Sequence, residues 1–219
     1  QGNASGSPFS HAGLTEGQTY YYRAFSVNAS NLYSTGVDAN ATTTALLPLS
    51  QDFSNCSDLD GWFAESVAGS ETWTCGSGYM DINTFGNGNN EDYLISPPMD
   101  FSALTNAAEI SFQTQERYEG PDLELLYSTN YAGDASAATW NPISYTFPDS
   151  ETGSTFSAFT ASGAVALPSL SSSNVRIAFR YTADGSAGGT EHWRVDDIVI
   201  QEGTTAGTTA DPSNFTAGT

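Results

Sequence analysis

Glu109-Ile-Ser-Phe-Gln-Thr114 sets Ile110 and Phe112 on one side of an extended chain and polar residues on the other. Successive side chains of a strand point to opposite faces, so this alternation marks a strand with one buried face. The pattern recurs on both sides of it. Upstream lie Thr19-Tyr-Tyr-Tyr-Arg-Ala-Phe-Ser-Val27 and Asp92-Tyr-Leu-Ile-Ser96, the second closed by the breaker Pro97-Pro98. Downstream follow Leu123-Glu-Leu-Leu-Tyr-Ser128, Val175-Arg-Ile-Ala-Phe-Arg-Tyr181 and Trp193-Arg-Val-Asp-Asp-Ile-Val-Ile200. Helical periodicity is almost absent, and the best helical stretch, residues 102–108, is short and polar. Many short strands between Gly, Asn, Asp and Ser turns predict an all-β sandwich.

Composition agrees and narrows the function. The 219 residues carry 25 Asp+Glu against 5 Lys+Arg, a formal charge of −20. All five basic residues are arginines: Arg23, Arg117, Arg176, Arg180 and Arg194. A chain so acidic is repelled by phosphate backbones and anionic membranes, which argues against nucleic-acid binding and polybasic membrane attachment. Without lysine there is no Schiff base and no P-loop lysine. Aromatics make up 12% of the chain, which argues against disorder. No apolar run approaches the roughly 18–20 residues of a membrane span, so membrane insertion is not expected. No signal peptide opens the sequence, which reads as mature protein or an excised piece. Two cysteines, Cys56 and Cys75, stand in a Ser/Thr/Asn-rich acidic chain of export type. They predict one disulfide, the alternative being two buried thiols, and no zinc site, because no CxxC or His cluster accompanies them.

The two ends differ from the middle. Phe9-Ser-His-Ala-Gly-Leu-Thr-Glu-Gly-Gln-Thr-Tyr-Tyr-Tyr-Arg-Ala-Phe-Ser-Val-Asn28 resembles the second half of a fibronectin type III domain, whose Gly-Leu-Thr-x-Gly-x-x-Tyr corner leads into a strand. Ala210-Asp-Pro-Ser-Asn-Phe-Thr-Ala217 resembles the opening strand of such a domain. The expected organisation is a partial fibronectin type III segment over 1–45, a sandwich over 46–202, and a linker with a first fibronectin-like strand over 203–219.

The central stretch carries Asp52-Phe-Ser-Asn-Cys-Ser-Asp-Leu-Asp-Gly-Trp62, Glu91-Asp-Tyr-Leu-Ile-Ser-Pro-Pro-Met-Asp100, Leu123-Glu-Leu-Leu-Tyr-Ser-Thr-Asn-Tyr131 with Trp140, and Trp193-Arg-Val-Asp-Asp-Ile198. This order resembles the choice-of-anchor J or cleaved-adhesin family, related to MAM-type jelly rolls. The resemblance implies a jelly-roll β-sandwich in secreted bacterial multidomain proteins, non-catalytic, often calcium-bearing, and adhesive or carbohydrate-binding. Extracellular or cell-surface localisation follows from it.

Catalysis has little to work with. The two histidines are His11, in the fibronectin-like loop, and His192, before the last strand, and no Gly-x-Ser-x-Gly elbow is present. Acidic pairs such as Glu116/Glu119 and Asp196/Asp197 arise by chance among 25 acids. Calcium is the better use of them. Alternation in the last strand sends Asp196 or Asp197 inward or to the sheet edge, where an unpaired carboxylate is costly. A bound cation would remove that cost, and so would Arg180 or Arg194. In related jelly rolls a calcium joins an acid near the first strand to one on the last. The matching positions are Asp52 and Asp196, with Asp197, Glu91 and Asp92 as further candidates. The segment Asp58-Leu-Asp60-Gly61 lacks the other EF-hand ligands.

Sugar recognition would use exposed rings for stacking and polar side chains for hydroxyls. Trp73, Tyr79, Tyr118, Tyr131, Trp140 and Trp193 are possible platforms, although most rings of a sandwich are core, Trp62 foremost. The ligand-contact set is Arg117, Tyr118, Tyr131, Trp140 and His192. The leading reading is a non-catalytic module binding polysaccharide, a cell-surface glycan or another extracellular ligand. The alternative is a spacer or filament-forming repeat whose fibronectin-like ends pair with neighbouring domains or neighbouring chains by strand exchange.

Overall fold

The period-two pattern is carried by fourteen strands in a computed structural model that describes residues 11, 14, 19–45, 47–148, 153–186 and 189–204. In chain order they are β1 (Thr19–Ala24), β2 (Val37–Thr42), β3 (Leu49–Gln51), β4 (Phe63–Ala68), β5 (Thr74–Gly76), β6 (Tyr79–Ile82) and β7 (Asn90–Ile95). Then come β8 (Ala108–Arg117), β9 (Glu124–Ser128), β10 (Asn141–Pro142), β11 (Thr160–Ala161), β12 (Val165–Ala166), β13 (Arg176–Ala183) and β14 (His192–Glu202). One sheet of five strands runs β10-β9-β13-β7-β4. A second, of seven, runs β11-β8-β14-β6-β5, with β12 on β8 and β3 on β14. Every ladder between these strands is antiparallel. The described residues form no helix, and the chain is all-β.

Alternation decides what meets between the sheets. In β8, Ala108, Ile110, Phe112, Thr114 and Glu116 are buried while the residues between them are half-exposed. Phe112 meets Phe179 of β13 edge-on, with ring centroids 4.9 Å apart, and Phe147 meets Trp193 at 5.8 Å. These contacts join the sheets into one core that includes Phe53, Trp62, Leu94, Tyr181, Ile198 and Ile200. Burying each large apolar side chain stabilises by roughly 1.5–3 kcal/mol. A second, smaller cluster lies on the far side of the five-stranded sheet: Tyr93, Ile95, Leu126 and Ala178 are covered by Tyr131, Ala135 and Trp140. Cys56 and Cys75 form the expected disulfide, tying the loop after β3 to β5 across a Cα–Cα distance of 5.5 Å.

Residues 102–107 turn instead of coiling, and Ala108 already begins β8. Their backbone donors go to side chains: Ser102 N to Asp100 Oδ1 at 2.9 Å, and Thr105 N and Asn106 N to Glu202 Oε1 at 2.6 and 2.7 Å. A helix would need those donors for its own carbonyls.

The two acids of β14 also behave differently from simple alternation. The β14–β8 register shifts between Asp196 and Val199, and Asp197 takes a left-handed φ of 48°. The bulge inserts one extra residue, so Val195 and Ile198 both reach the core while neither carboxylate is forced into it.

Strands β1 and β2 pair with each other from Thr19↔Thr42 to Ala24↔Val37. Their neighbourhood leaves Tyr21 79% and Tyr33 73% exposed. Among the described residues Ala45 is the first to join the main core, its N–H donating to Pro98 O at 2.7 Å. The fibronectin-like strand expected around residues 210–217 lies outside the described residues.

Candidate functional site

The outer face of the seven-stranded sheet brings Arg117, Arg194 and His192 together with the rings of Tyr79, Tyr118 and Phe156. Register sets His192 opposite Arg117, and Arg194 opposite both Gln115 and Asp81. Since Trp193, Val195, Met80 and Ile82 point into the core, His192, Arg194, Tyr79 and Asp81 point out. Phe156 folds over them from the segment before β11, its ring 4.7 Å from that of His192.

The polar connections are specific. His192 Nε2 lies 2.9 and 2.8 Å from the two oxygens of Asp81. Arg117 Nε donates to His192 Nδ1 at 3.2 Å. Arginine has no acceptor, so Nδ1 must accept and Nε2 carries the proton that Asp81 receives. Arg194 Nε also bonds Asp81, at 3.0 Å, and its Nη1 bonds Gln115 Oε1 at 3.0 Å. Burial opposes ionisation of Asp81, but the bonds and charges of His192 and Arg194 outweigh it and hold the carboxyl below its ordinary range.

Aromatic faces bracket both guanidinium groups. Arg194 lies 3.5 Å from the Phe156 centroid and 4.3 Å from that of Tyr79. Arg117 lies 4.4 Å from Phe156 and 5.1 Å from Tyr118. Tyr118, just past the end of β8, is 37% exposed and holds a φ of 68°. A left-handed backbone at a bulky residue is uncommon and costs energy. Here the Tyr118 N–H donates to Gly153 O at 2.9 Å, which helps to hold the turn.

Of the ligand-contact set read from the sequence, Arg117, Tyr118 and His192 therefore come together. Tyr131 and Trp140 do not join them. Tyr131 is 6% exposed on the other sheet, and its hydroxyl donates to Glu65 Oε2 at 2.6 Å. Trp140 stacks on Tyr93 at 5.4 Å and donates from Nε1 to Ala135 O at 3.1 Å. Trp73 and Trp193 are core, as is Trp62.

The acidic candidates also separate. Asp52, Asp60 and Asp197 line an open cleft of 390 Å³ with Ser50, Gln51, Ile198 and Val199. Asp196 is close enough to Asp52 and Asp197 to feel both charges. Burial first, then those two carboxylates, push it up to about 6, against a lowering bond from the Asp197 N–H. Asp197 accepts from Gln113 Nε2 at 2.5 Å. Glu91 lies on the other sheet, paired with Arg180 at 3.1 Å and accepting from Tyr93 at 2.8 Å. Asp92 points the opposite way, into the sandwich. Arg194 and Arg180, the alternative partners for the β14 acids, are spent on Asp81 and on Glu91 with Glu124. Among the described residues no three His, Cys, Asp or Glu side chains stand together as a ready metal cluster.

Asp81, Gln115, Phe156 and Arg194 belong to the outer-face network without having been singled out as ligand contacts. Tyr79-Met-Asp-Ile82 is a four-residue alternating run, and reading it as a strand would have set Asp81 on a face. Phe156 lies in a Ser/Thr stretch with no periodicity, and only the folded chain shows where it lands.

No curated protein matches the chain. Among solved structures, the K3 cleaved adhesin domain of Lys-gingipain from Porphyromonas gingivalis W83 is 18% identical, with 70% of this chain and 98% of that one covered and a TM-score of 0.48. The K1 cleaved adhesin domain of the same protein is 20% identical, with 71% and 98% covered and a TM-score of 0.47. The CBM22-1 xylan-binding domain of Paenibacillus barcinonensis Xyn10C is 11% identical, with 72% and 95% covered and a TM-score of 0.38. Residues 100–219 match the family model described as a domain of unknown function, DUF5017. That match spans more than half of the sequence, and the chain belongs to the DUF5017 family.

Proposed function

We propose that this chain is a non-catalytic binding module of a secreted multidomain protein, taking a polysaccharide or cell-surface glycan on the outer face of the seven-stranded sheet. The observation that carries the reading is the Arg117–Tyr118 pair. A half-exposed ring in a strained turn stands beside a guanidinium oriented by His192 and by the Ser154 carbonyl at 3.3 Å. A pyranose C–H face stacks on such a ring, and Arg117 offers further N–H donors to its hydroxyls. His192 spends both ring nitrogens on Asp81 and Arg117, which leaves it no lone pair for general-base work. Affinity electrophoresis against a polysaccharide panel tests this. Tyr118→Ala and Arg117→Gln should each weaken binding at least tenfold with little change in melting temperature. Retention of full affinity by both variants would remove the site.

Calcium at the β3–β14 edge is part of the same proposal. The acids of that cleft repel one another, and a hard divalent ion with oxygen ligands from Asp52, Asp196 and Asp197 would relieve them. The sign of the pH effect follows from the raised Asp196. The folded chain holds that proton up to about pH 6 and the unfolded chain only to about 4. Without metal, the stability contributed by this group is present below about pH 4 and lost as pH rises through 6. Urea midpoints in chelator should show that decline, and Asp196→Asn or added calcium should flatten it. A wild-type profile that is already flat in chelator would count against the site.

A second reading is favoured by the β1–β2 hairpin and its connection, in which Tyr21, Leu32, Tyr33 and Val37 are each exposed. Apolar surface of this kind invites a partner, and strand exchange with neighbouring domains or chains would make the chain a spacer or filament repeat. Light scattering across a concentration series, with and without residues 203–219, decides it. Mass that is constant in both removes intermolecular exchange.

A further inference from the structure

Among the described residues from Ala45 onward, two large hydrophobic side chains stand exposed, Phe85 at 61% and Tyr118 at 37%. Both belong to one end of the seven-stranded sheet. There β8 ends at Arg117, opposite His192 at the start of β14, and β6 ends at Ile82, opposite Trp193. Tyr118 follows the first of these strand ends, and Asn83-Thr-Phe85 follows the second. The two strands flank β14, so they lie two ladder spacings, roughly 10 Å, apart. Phe85 belongs to neither apolar cluster of the sandwich.

The loop that carries Phe85 is fastened on both sides. Phe85 N donates to Asn83 Oδ1 at 3.2 Å, Asn87 N to Thr84 O at 3.0 Å, and Asn90 Nδ2 to Gly88 O at 2.8 Å. Thr84, next to Phe85, is fully buried. Gly86 N donates to Gly185 O at 2.9 Å, and a Cβ on Gly185 would collide with Gly88 N. The loop after Tyr118 is held in the same way, since a Cβ on Gly120 would collide with the backbone of Thr190 and Glu191. Loops packed backbone on backbone have little freedom left to lose when a ligand binds. A phenyl ring left in water forgoes the stabilisation that burial would give the fold.

Charge narrows the ligand. Residues 83–90 read Asn-Thr-Phe-Gly-Asn-Gly-Asn-Asn, without one charged side chain in a protein of formal charge −20. An ionic partner would meet no counter-charge there. Asn83, Asn87 and Asn89 are exposed near the ring. An amide both donates and accepts, which is the pairing that hydroxyls need. We infer that Phe85 is a second sugar platform, and that the ligand is an extended, uncharged glycan chain running from Tyr118 past the start of β14 to Phe85. The inference rests on the Arg117–Tyr118 reading and adds to it the length and charge class of the ligand.

Isothermal titration calorimetry with xylan, glucomannan, galactan, β-glucan and the acidic polygalacturonate tests it, followed by short and long oligosaccharides cut from the tightest binder. In the wild type, affinity should rise at least tenfold from the short to the long oligosaccharide. Phe85→Ala should cancel that rise while keeping the short-oligosaccharide affinity and the melting temperature. Phe85→Trp, which restores a platform, should keep the rise. Tyr118→Ala should weaken short and long oligosaccharides alike. Wild-type length dependence in Phe85→Ala would overturn the inference and leave the Arg117–Tyr118 reading standing. An equal loss on both lengths in Phe85→Ala would also overturn it, because the ring would then belong to a single subsite. Tightest binding by polygalacturonate would overturn the charge class. Full affinity in both Tyr118→Ala and Arg117→Gln, or no binding to any of the five polymers, would remove the reading and the inference together.

Discussion

The two outer faces of the sandwich use the same residue types for opposite ends. On the five-stranded sheet, residues 129–140 fold back so that Tyr131 and Trp140 cover Tyr93, Ile95 and Leu126. Glu65 is consumed in fixing that cover, accepting from Tyr131 and from Ala135 N at 2.7 Å. On the seven-stranded sheet, the rings of Tyr79, Tyr118 and Phe156 bracket two guanidinium groups, and Asp81 and His192 hold those groups in place. Rings on the covered face stabilise; rings on the open face orient charge. An aromatic in a β-sandwich is therefore informative only once its neighbours are known.

Deleting the cover should have the largest effect. Tyr131→Ala removes a nearly buried ring and one of the two hydrogen bonds that Glu65 accepts, and large-to-small changes at such sites cost about 3–5 kcal/mol. Urea denaturation should show a loss near the lower end, while the folded fraction keeps its ligand affinity. A loss below about 1 kcal/mol would break the contrast between the two faces. Next comes the disulfide that straps the loop after β3 to the β5 edge of the seven-stranded sheet. Cys56→Ser/Cys75→Ser opens a loop with a sequence separation of 19 and should cost about 3 kcal/mol in the chain-entropy model. Because the strap sits at an edge, glycan binding by the folded variant should survive.

Asp81→Asn probes the open face more gently. It withdraws the charge that receives both His192 and Arg194, at a site still partly wet, so a cost of about 1–2 kcal/mol is expected. The sharper signature is functional. With His192 released, Arg117 loses its fixed acceptor, and affinity should fall although no residue in contact with ligand has changed. Equal losses of stability and affinity in Asp81→Asn and Tyr131→Ala would erase the distinction.

The strands were legible because alternation is local: Ile110 and Phe112, or Ile177 and Phe179, announce a buried face within a few residues. The bulge at Asp196–Asp197 was not, because an extra residue in one strand is visible only against its partner β8. The same holds for the covering segment. Nothing near Tyr131 or Trp140 shows that they pack back on Tyr93, whereas Tyr118, between a charged pair and Gly120-Pro121, carries its turn in its own neighbourhood. Arg117 and Tyr118 could be named from the sequence for that reason. Asp81 and Phe156 reach the face from loops and strands far apart in the chain, and their meeting is a property of the sheet order.

Tyr118→Gly should have the smallest effect on stability and a large one on binding. A φ of 68° suits glycine and strains tyrosine, so the substitution relieves backbone strain at the native turn. Against that stand the greater freedom of glycine in the unfolded chain and the loss of a ring that is already 37% exposed and gives Arg117 one of its two aromatic neighbours. These terms oppose each other, and the net change should lie within about 0.5 kcal/mol of zero, as at ordinary surface positions. If the ring is a sugar platform, glycan affinity falls at least tenfold in the same protein. A strained tyrosine whose removal costs no stability but abolishes binding is held for its ligand. A Tyr118→Gly variant that loses more than about 1.5 kcal/mol while keeping its affinity would show that the ring packs the sheet, and would make the two outer faces alike.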